Sequence, residues 1–306
     1  MTSADPVHTL NDLASWPTTG TWLAVLGHPI AHSISPVMHN AALRRSASED
    51  TRYSDWNYVR FDVPPEQLPE ALVQLRQRGF LGLNLTLPHK VLAVPHVSRI
   101  DPAAAPIGAV NTLRACAGGW EAFNTDGYGM AAGIRQDLGL TLAGTHVILL
   151  GAGGAARGAA VECLQQGVAS LNIANRTESN LQQLLSDLAP LKPSGCELRG
   201  FSPAQPPATL PAQALVINAT SAGLKAADPL PLDLARVPRP AAVYDMIYNP
   251  ARTRLMEEAS KLGIPVSNGL SMLVNQGAKA LSHWTGLPPE RLFPEMDAAA
   301  RRAMEL

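Results

Sequence analysis

Cysteine is scarce in this chain. Its 306 residues hold three, Cys116, Cys163 and Cys196, an odd number with no C-x-x-C spacing. Free thiols are expected, and neither a disulfide framework nor a zinc site suits that pattern. Excess charge of one sign is also missing. The 24 basic side chains are matched by 25 acidic ones, and charged residues make up only 16 % of the chain. Without a basic stripe, a nucleic-acid or membrane surface is not expected, and small neutral-to-anionic metabolites suit the balance better. Long apolar runs are absent too, since no stretch approaches the ~18 residues that span a bilayer. Residues 1–20 carry Asp5 and Asp12 and no basic segment followed by an apolar core, so no secretory signal is expected and the cytoplasm is the expected compartment.

What the chain does have is length and apolar content. At 306 residues with 46 % apolar side chains, it can fill the cores of two domains. The first twenty residues, polar and turn-rich, read as a mobile extension. A strand is expected at 21–26, then a helix from Ser35 to Arg45 with Ser35 as N-cap and Pro36 at the first helical position. Strand 56–63, helix 65–78 and strand 80–85 follow, and this alternation predicts an α/β layer with largely parallel strands. Segments 109–114 and 120–123, on either side of Gly118-Gly119, predict a hairpin, and 127–138 a helix. A second α/β block begins at Thr145, with strands at 145–150, 169–174, 196–201, 214–218 and 242–246. Its helices fall near 155–166, 178–189 and 252–262, and 203–211 is a proline-rich loop. Helices 270–284 and 289–305 end the chain, and the domain boundary falls near 124–127.

The second block opens on a glycine loop. Strand 145–150 runs into Gly151-Ala152-Gly153-Gly154-Ala155-Ala156 and then a helix, which is the setting in which a G-x-G-x-x-A pattern signals a dinucleotide site. The glycines permit a tight turn and close approach to a pyrophosphate, and the helix N-terminus supplies amide donors. After the next strand an NAD enzyme places a carboxylate for the ribose hydroxyls, but here Asn175-Arg176-Thr177 stands. A guanidinium there pairs with a 2′-phosphate, which points to NADP. The plainer alternative makes Arg176 a solvated residue at a helix start and Thr177 its N-cap.

The first block carries polar groups with no evident packing role. Asn84-Leu-Thr86-Leu-Pro-His-Lys90 closes a buried strand, and Lys90 could bind an anion, polarise a carbonyl or move a proton. Ser33 and Ser35 sit two residues apart at a loop-to-helix junction suited to a carboxylate, although Ser35 could be a cap alone. Asn111 ends a short strand, and Asp126 stands where the linking helix begins, as an acid or merely as an N-cap. His28, His32 and His39 lack a thiolate or carboxylate partner in sequence, so no metal site is expected. No G-x-S-x-G elbow supports a hydrolase.

Together these segments resemble the shikimate dehydrogenase family. The resemblance rests on GHPIAHSISPVMHN (27–40), GLNLTLPHK (82–90), GAVNTL (108–113), NTDGYG (124–129), GAGGAAR (151–157), NRT (175–177), INATSAG (217–223), YDMIYNP (244–250) and NGLSMLVNQ (268–276), in family order. It implies an N-terminal α/β substrate domain, residues 1–125 plus a C-terminal helical segment returning at 269–306. A Rossmann domain at 126–268 would bind NADP. The implied reaction is the reversible reduction of 3-dehydroshikimate to shikimate, on the route to chorismate and the aromatic amino acids. By the same resemblance Ser33 and Ser35 hold the substrate carboxylate, and Asn84, Thr86, Asn111 and Gln276 the ring hydroxyls. Tyr248 faces the substrate, and Lys90 and Asp126 form the catalytic pair. Gly151, Ala152, Gly153, Gly154 and Ala155 cradle the pyrophosphate, with Asn175, Arg176 and Thr177 at the adenosine end. Thr220, Met246, Gly269 and Met272 lie near the nicotinamide.

The residue chemistry agrees with these implied roles. Hydride delivery to a ketone creates an alkoxide that needs a cation and a proton, and a lysine held by a carboxylate supplies both. Lys90 and Asp126 lie on different segments, so a cleft between domains is expected to join them. One departure concerns the cofactor. Family members specific for NADP often carry a second arginine after NRT, whereas Glu178-Ser179-Asn180 follows here. A moderate NADP preference is therefore expected, with NAD possible. The alternatives are a quinate/shikimate dehydrogenase that accepts NAD and, more remotely, a non-catalytic relative that only binds ligand. Small-molecule partners and a monomer or homodimer complete the reading.

Overall fold

The computed structural model describes residues 6–305 and divides into two compact units. The first runs to Thr125 and resumes at Val274; the second is Asp126–Leu273.

The first unit is built on a seven-stranded sheet. In chain order it carries β1 (Val7–His8), β2 (Thr21–Gly27), α1 (Ser35–Glu49), β3 (Trp56–Asp62), α2 (Leu68–Gln77), β4 (Gly82–Leu85), a single turn α3 (His89–Leu92), β5 (Arg99–Ile100), β6 (Thr112–Cys116) and β7 (Gly119–Phe123). The strand order is β1-β3-β2-β4-β6-β7-β5. All neighbours are parallel except at β6, which runs antiparallel to both β4 and β7. Leu23 to Leu26 in β2 and all four residues of β4 are buried, as expected for strands covered on both faces.

Residues 6–20 correct the expectation of a mobile extension; residues 1–5 lie outside the described residues. β1 pairs with β3, and a 3-10 helix at Leu10–Ser15 is closed by a capping box between Thr9 and Asp12. Leu13 and Trp16 are buried in the main core cluster, with Trp16 edge-on to Trp22 at 4.9 Å. The aromatic payload of Trp16 anchors a segment whose composition alone reads as loop. Ser35 is likewise not an N-cap. It is the first residue of α1, Ile34 is the cap, and the Ser33 hydroxyl accepts from the Ser35 amide at 3.3 Å.

The second unit opens with α4 (Asp126–Leu138). It continues through β8 (His146–Leu150), α5 (Gly154–Gln165), β9 (Ser170–Ala174), α6 (Glu178–Leu188), β10 (Glu197–Phe201), β11 (Leu215–Asn218), β12 (Ala242–Asp245), α7 (Arg254–Lys261) and β13 (Val266–Ser267). Its six strands are all parallel in the order β10-β9-β8-β11-β12-β13. Counted from β8, that order is 3-2-1-4-5-6, the doubly wound dinucleotide-binding arrangement, whose order reverses between β8 and β11. α8 (Leu270–Thr285) begins in this unit and ends in the first, the division falling before Val274 rather than at residue 269. Gly269 and Met272 thus belong to the second unit. α9 (Pro289–Ala303) completes the first unit by packing on α1.

Candidate active site

In the first unit, topology gathers the polar segments on one sheet edge. β2 and β4 are parallel and β7 runs the same way, so the segments after all three leave the carboxyl edge, where antiparallel β6 begins. The register sets Asn84 opposite Thr112 and Thr112 opposite Phe123. Asn84, Asn111, Thr112 and Thr125 are all buried there and satisfy one another. Asn84 Nδ2 donates to Asn111 O at 3.0 Å and to Thr112 Oγ1 at 3.1 Å. The Thr125 amide donates to Asn111 Oδ1 at 2.9 Å, which turns Asn111 Nδ2 toward Thr125 Oγ1 at 3.0 Å and Gln276 Oε1 at 3.4 Å. A backbone amide can only donate and a carbonyl can only accept, so these two contacts fix both amide orientations. The donor end of Asn111 therefore faces Thr125 and Gln276, and Asn84 turns its acceptor end the other way. Buried amides with fixed polarity are the groups that read a polyhydroxylated ring.

Thr86 and Lys90 lie immediately beyond Asn84, both half-buried. The turn between them closes by a His89 amide bond to Thr86 O at 2.8 Å, and Lys90 O is tied to the Val110 amide at 2.8 Å. This places the lysine backbone beside the segment that carries Asn111. Ser33 and Ser35 follow β2. Beneath them is a residue the sequence reading missed, Arg60 on β3, 6 % exposed. Its Nη1 donates to Ala31 O and to Ser33 O, the latter at 3.1 Å. A buried guanidinium under a serine loop adds positive potential where an anion is expected. The signal was available, because an arginine between Val59 and Phe61 inside a strand needs buried acceptors.

The three histidines separate. His28 Nδ1 lies 2.9 Å from Asp62 Oδ1, His32 is exposed, and His39 is buried in α1 with its ring 4.0 Å from the Tyr58 ring. Among the described residues no group of three or more His, Cys, Asp or Glu side chains could hold a metal ion.

The second unit holds the glycine loop at the β8–β11 switch point. Gly151 has φ of +112°, and a Cβ there would stand 3.0 Å from Thr220 Cγ2 and 3.2 Å from Ala219 O, so only glycine lets the two strand ends approach. Gly153 caps α5 without a side-chain bond, and a Cβ on Gly153 or Gly154 would meet no atom within 4 Å. Gly153, Gly154 and Ala155 are exposed, so α5 offers its first amides to an open space. These features fit a pyrophosphate. Asn175 Nδ2 donates to Thr177 O at 2.8 Å, which shapes the turn after β9, and Arg176 is exposed beside it. Thr177 is the N-cap of α6 by backbone geometry but makes no side-chain cap bond. Glu178 accepts from Gln182 at 2.7 Å, so its carboxylate is engaged along α6, where no ion pair with Arg176 forms.

Two loops beside the switch point hang on one carboxylate. Asp245, fully buried at the end of β12, accepts from Asn218 Nδ2 at 3.0 Å, the Ile247 amide at 3.0 Å and Thr253 Oγ1 at 2.7 Å. Burial pushes its pKa up against these three donors. Asn218 Oδ1 in turn takes the Thr220 amide at 3.1 Å and hydroxyl at 2.7 Å. The loops bearing Thr220, Met246 and Tyr248 are thereby held together. Met246 is also met closely by the residue before α8, since a Cβ on Gly269 would stand 2.1 Å from Met246 O. Met272 is half-buried on the first turn of α8, and Tyr248 is half-buried with its phenol pKa raised by burial. Asp126, also half-buried, is the first residue of α4, a position where a carboxylate favours the helix dipole.

Comparison with known proteins adds an independent finding. Residues 25–113 match the shikimate dehydrogenase substrate binding domain, and residues 269–301 the shikimate 5′-dehydrogenase C-terminal domain. A shikimate dehydrogenase (NADP⁺) of Symbiobacterium thermophilum is 40 % identical over 270 residues, 87 % of this chain and 90 % of the relative. The crystal structure of Thermus thermophilus shikimate 5-dehydrogenase in complex with NADP(H) and shikimate superposes with a TM-score of 0.78. It is 37 % identical and covers 92 % of this chain and 99 % of its own. A ligand-free 5-ketofructose reductase of Gluconobacter is 29 % identical with a TM-score of 0.80, covering 93 % and 99 %. The expected α/β architecture with a doubly wound parallel sheet and the expected resemblance meet in the same conclusion: the chain belongs to the shikimate dehydrogenase family.

Proposed function

We propose that this chain is an NADP-dependent shikimate dehydrogenase that reversibly reduces 3-dehydroshikimate to shikimate in chorismate and aromatic amino acid biosynthesis. The observation that carries the proposal is the set of interlocked, buried amides on the carboxyl edge of the first sheet. Asn84 and Asn111 there have opposed and fixed polarity, the Lys90 carbonyl is tied to the Val110 amide beside Asn111, and the serine pair follows β2, the neighbour of β4. That array suits a small ring bearing several hydroxyls and a carboxylate. In this reading the first unit is the substrate-binding domain and the second the NADP-binding domain.

Ser33 and Ser35 hold the carboxylate above the Arg60 guanidinium, while Asn84, Thr86, Asn111 and Gln276 engage the ring, with Tyr248 also facing it. NADPH, when bound, supplies the hydride; Gly151 to Ala155 hold its pyrophosphate and Asn175, Arg176 and Thr177 its adenosine end. Thr220, Met246, Gly269 and Met272 line the nicotinamide. As the ketone carbon accepts the hydride, its oxygen develops negative charge. Lys90 stabilises that charge and transfers a proton to the oxygen, completing the alcohol. Asp126 orients the ammonium. In the oxidation direction the neutral amine takes the hydroxyl proton back. The same reading makes the protein a cytoplasmic monomer or homodimer whose partners are small molecules.

Steady-state kcat/KM for shikimate and quinate with NADP and NAD, together with NADPH-driven reduction of 5-ketofructose, tests this. Shikimate with NADP is expected to be the best pair. A clear preference for NAD or quinate would move the protein to the quinate/shikimate class. Shikimate binding without turnover would make it a ligand-binding relative.

A further inference from the structure

Tyr58 joins the two halves of the substrate-side array without belonging to either. It lies on β3, 1 % exposed, with its ring stacked on His39 at an interplanar angle of 16°. Its hydroxyl reaches Asn84 Oδ1 at 2.8 Å and also meets the Ser35 hydroxyl. A buried phenol tied to both the serine loop and the β4 asparagine does more than fill the core.

The directions of these hydrogen bonds follow from one fixed point. Asn111 O is a backbone carbonyl and can only accept, so the nitrogen end of Asn84 must face it. The second hydrogen of that nitrogen goes to Thr112 Oγ1, whose own hydrogen goes to Asn111 Oδ1 at 3.0 Å. Both amide hydrogens of Asn84 are thus committed to the protein. Asn84 Oδ1 then faces Tyr58, and the phenol must donate. Burial raises the Tyr58 pKa far above that of an exposed tyrosine, so the donor proton is retained. With one lone pair of Oδ1 taken by Tyr58, a single acceptor site is left.

We propose that Tyr58 is a positioning residue: Asn111 and Thr112 make Asn84 a pure hydrogen-bond acceptor, and the phenol holds its oxygen with one acceptor site left, so that this subsite selects a ring carbon bearing a hydroxyl and refuses a carbonyl. The inference rests on the functional reading above and deepens it. An acceptor facing a carbonyl leaves two lone pairs opposed, whereas a hydroxyl completes the site. The ketone to be reduced is therefore turned away from Asn84. Without the phenol, Asn84 Oδ1 loses its buried donor, and only the Asn111 carbonyl and the Thr112 hydroxyl still hold the amide in place.

Tyr58→Phe deletes only the oxygen and keeps the stack on His39. The assay is kcat and KM for shikimate, for NADP, and for shikimate analogues that each lack one non-reacting ring hydroxyl. The expected result is a KM for shikimate raised about tenfold, the loss of roughly one well-made hydrogen bond, with KM for NADP within about twofold. Wild-type discrimination against one of the deoxy analogues should fall by a similar factor in the variant. In an Asn84→Ala background, Tyr58→Phe should change that discrimination no further. If Tyr58→Phe only lowers Tm and leaves discrimination intact, Tyr58 is a core residue and the proposal fails. Wild-type protein that does not oxidise shikimate overturns the functional reading and this inference with it. An active wild type with an unaltered variant overturns the inference alone. The wild-type protein gives a second test that needs no variant. Both Asn84 side-chain amide protons should be protected from hydrogen exchange in NMR spectra, and should stay protected when shikimate binds. Recruitment of either proton by shikimate would refute an acceptor-only role.

Discussion

His39 makes the stability of the first unit depend on pH by an amount that the structure sets. Its side chain is fully buried on α1, with Nδ1 donating to Ser35 O at 2.9 Å. Burial lowers its pKa from 6.5 to about 4, opposed in part by the backbone of Ser35 and Gly277. Between those two values the unfolded chain carries a proton at this position and the folded chain does not. Stability is therefore complete above pH 6.5 and is lost as pH falls toward 4. Lowering the pKa from 6.5 to about 4 corresponds to roughly 3 kcal/mol in full, and to about 2 kcal/mol between pH 7.5 and pH 5. His39→Phe keeps an aromatic ring against Tyr58 and removes the titration. All five tryptophans, at positions 16, 22, 56, 120 and 284, belong to the first unit, so their fluorescence in urea reports that unit. At pH 7.5 the loss of the Nδ1 hydrogen bond should leave the variant about 1 kcal/mol less stable than the wild type. On going from pH 7.5 to pH 5 the wild type should lose about 2 kcal/mol more than the variant. Other histidines titrate alike in both proteins and cancel. Parallel pH dependence in the two proteins would show that His39 is not held neutral by burial.

Two further outcomes follow from the second unit. Arg176→Ala should raise KM for NADPH about tenfold and leave KM for NADH nearly unchanged, since only a 2′-phosphate engages the guanidinium; equal effects on both cofactors would rule that contact out. Asp245→Ala strands three buried donors, on Asn218, Ile247 and Thr253. It should cost roughly 3 kcal/mol of unfolding free energy and raise KM for NADP more than KM for shikimate. An unchanged urea midpoint would mean that the Asp245 cluster does not hold the loops.

The sequence carried the order of strands and helices well because apolar runs and glycine breaks mark element ends. β8, the glycine loop and α5 are legible because an apolar strand, a glycine needed at positive φ and a helix follow one another. What it hid was tertiary. β1, β5 and β13 are two residues each, too short to show alternation, and exist only through their partners. Trp16 turns a polar terminal stretch into core, which no local pattern encodes. At the site, Asn84, Asn111 and Gln276 were legible as polar groups and family positions, but the polarity of the two asparagines depends on the Asn111 carbonyl before β6 and the Thr125 amide after β7. Arg60 and Tyr58 read as strand residues, and only the contact of Arg60 with the serine loop and the reach of Tyr58 across β2 to Asn84 point to a part in recognition.

Lys90 carries the chemistry in this account, so turnover of shikimate with NADP by wild type and Lys90→Ala, side by side, tests it most directly. A fall in kcat of ~10²–10⁴-fold is predicted, with KM for shikimate changed little, as expected for a group that transfers a proton in the transition state. Near-normal turnover in Lys90→Ala would contradict it.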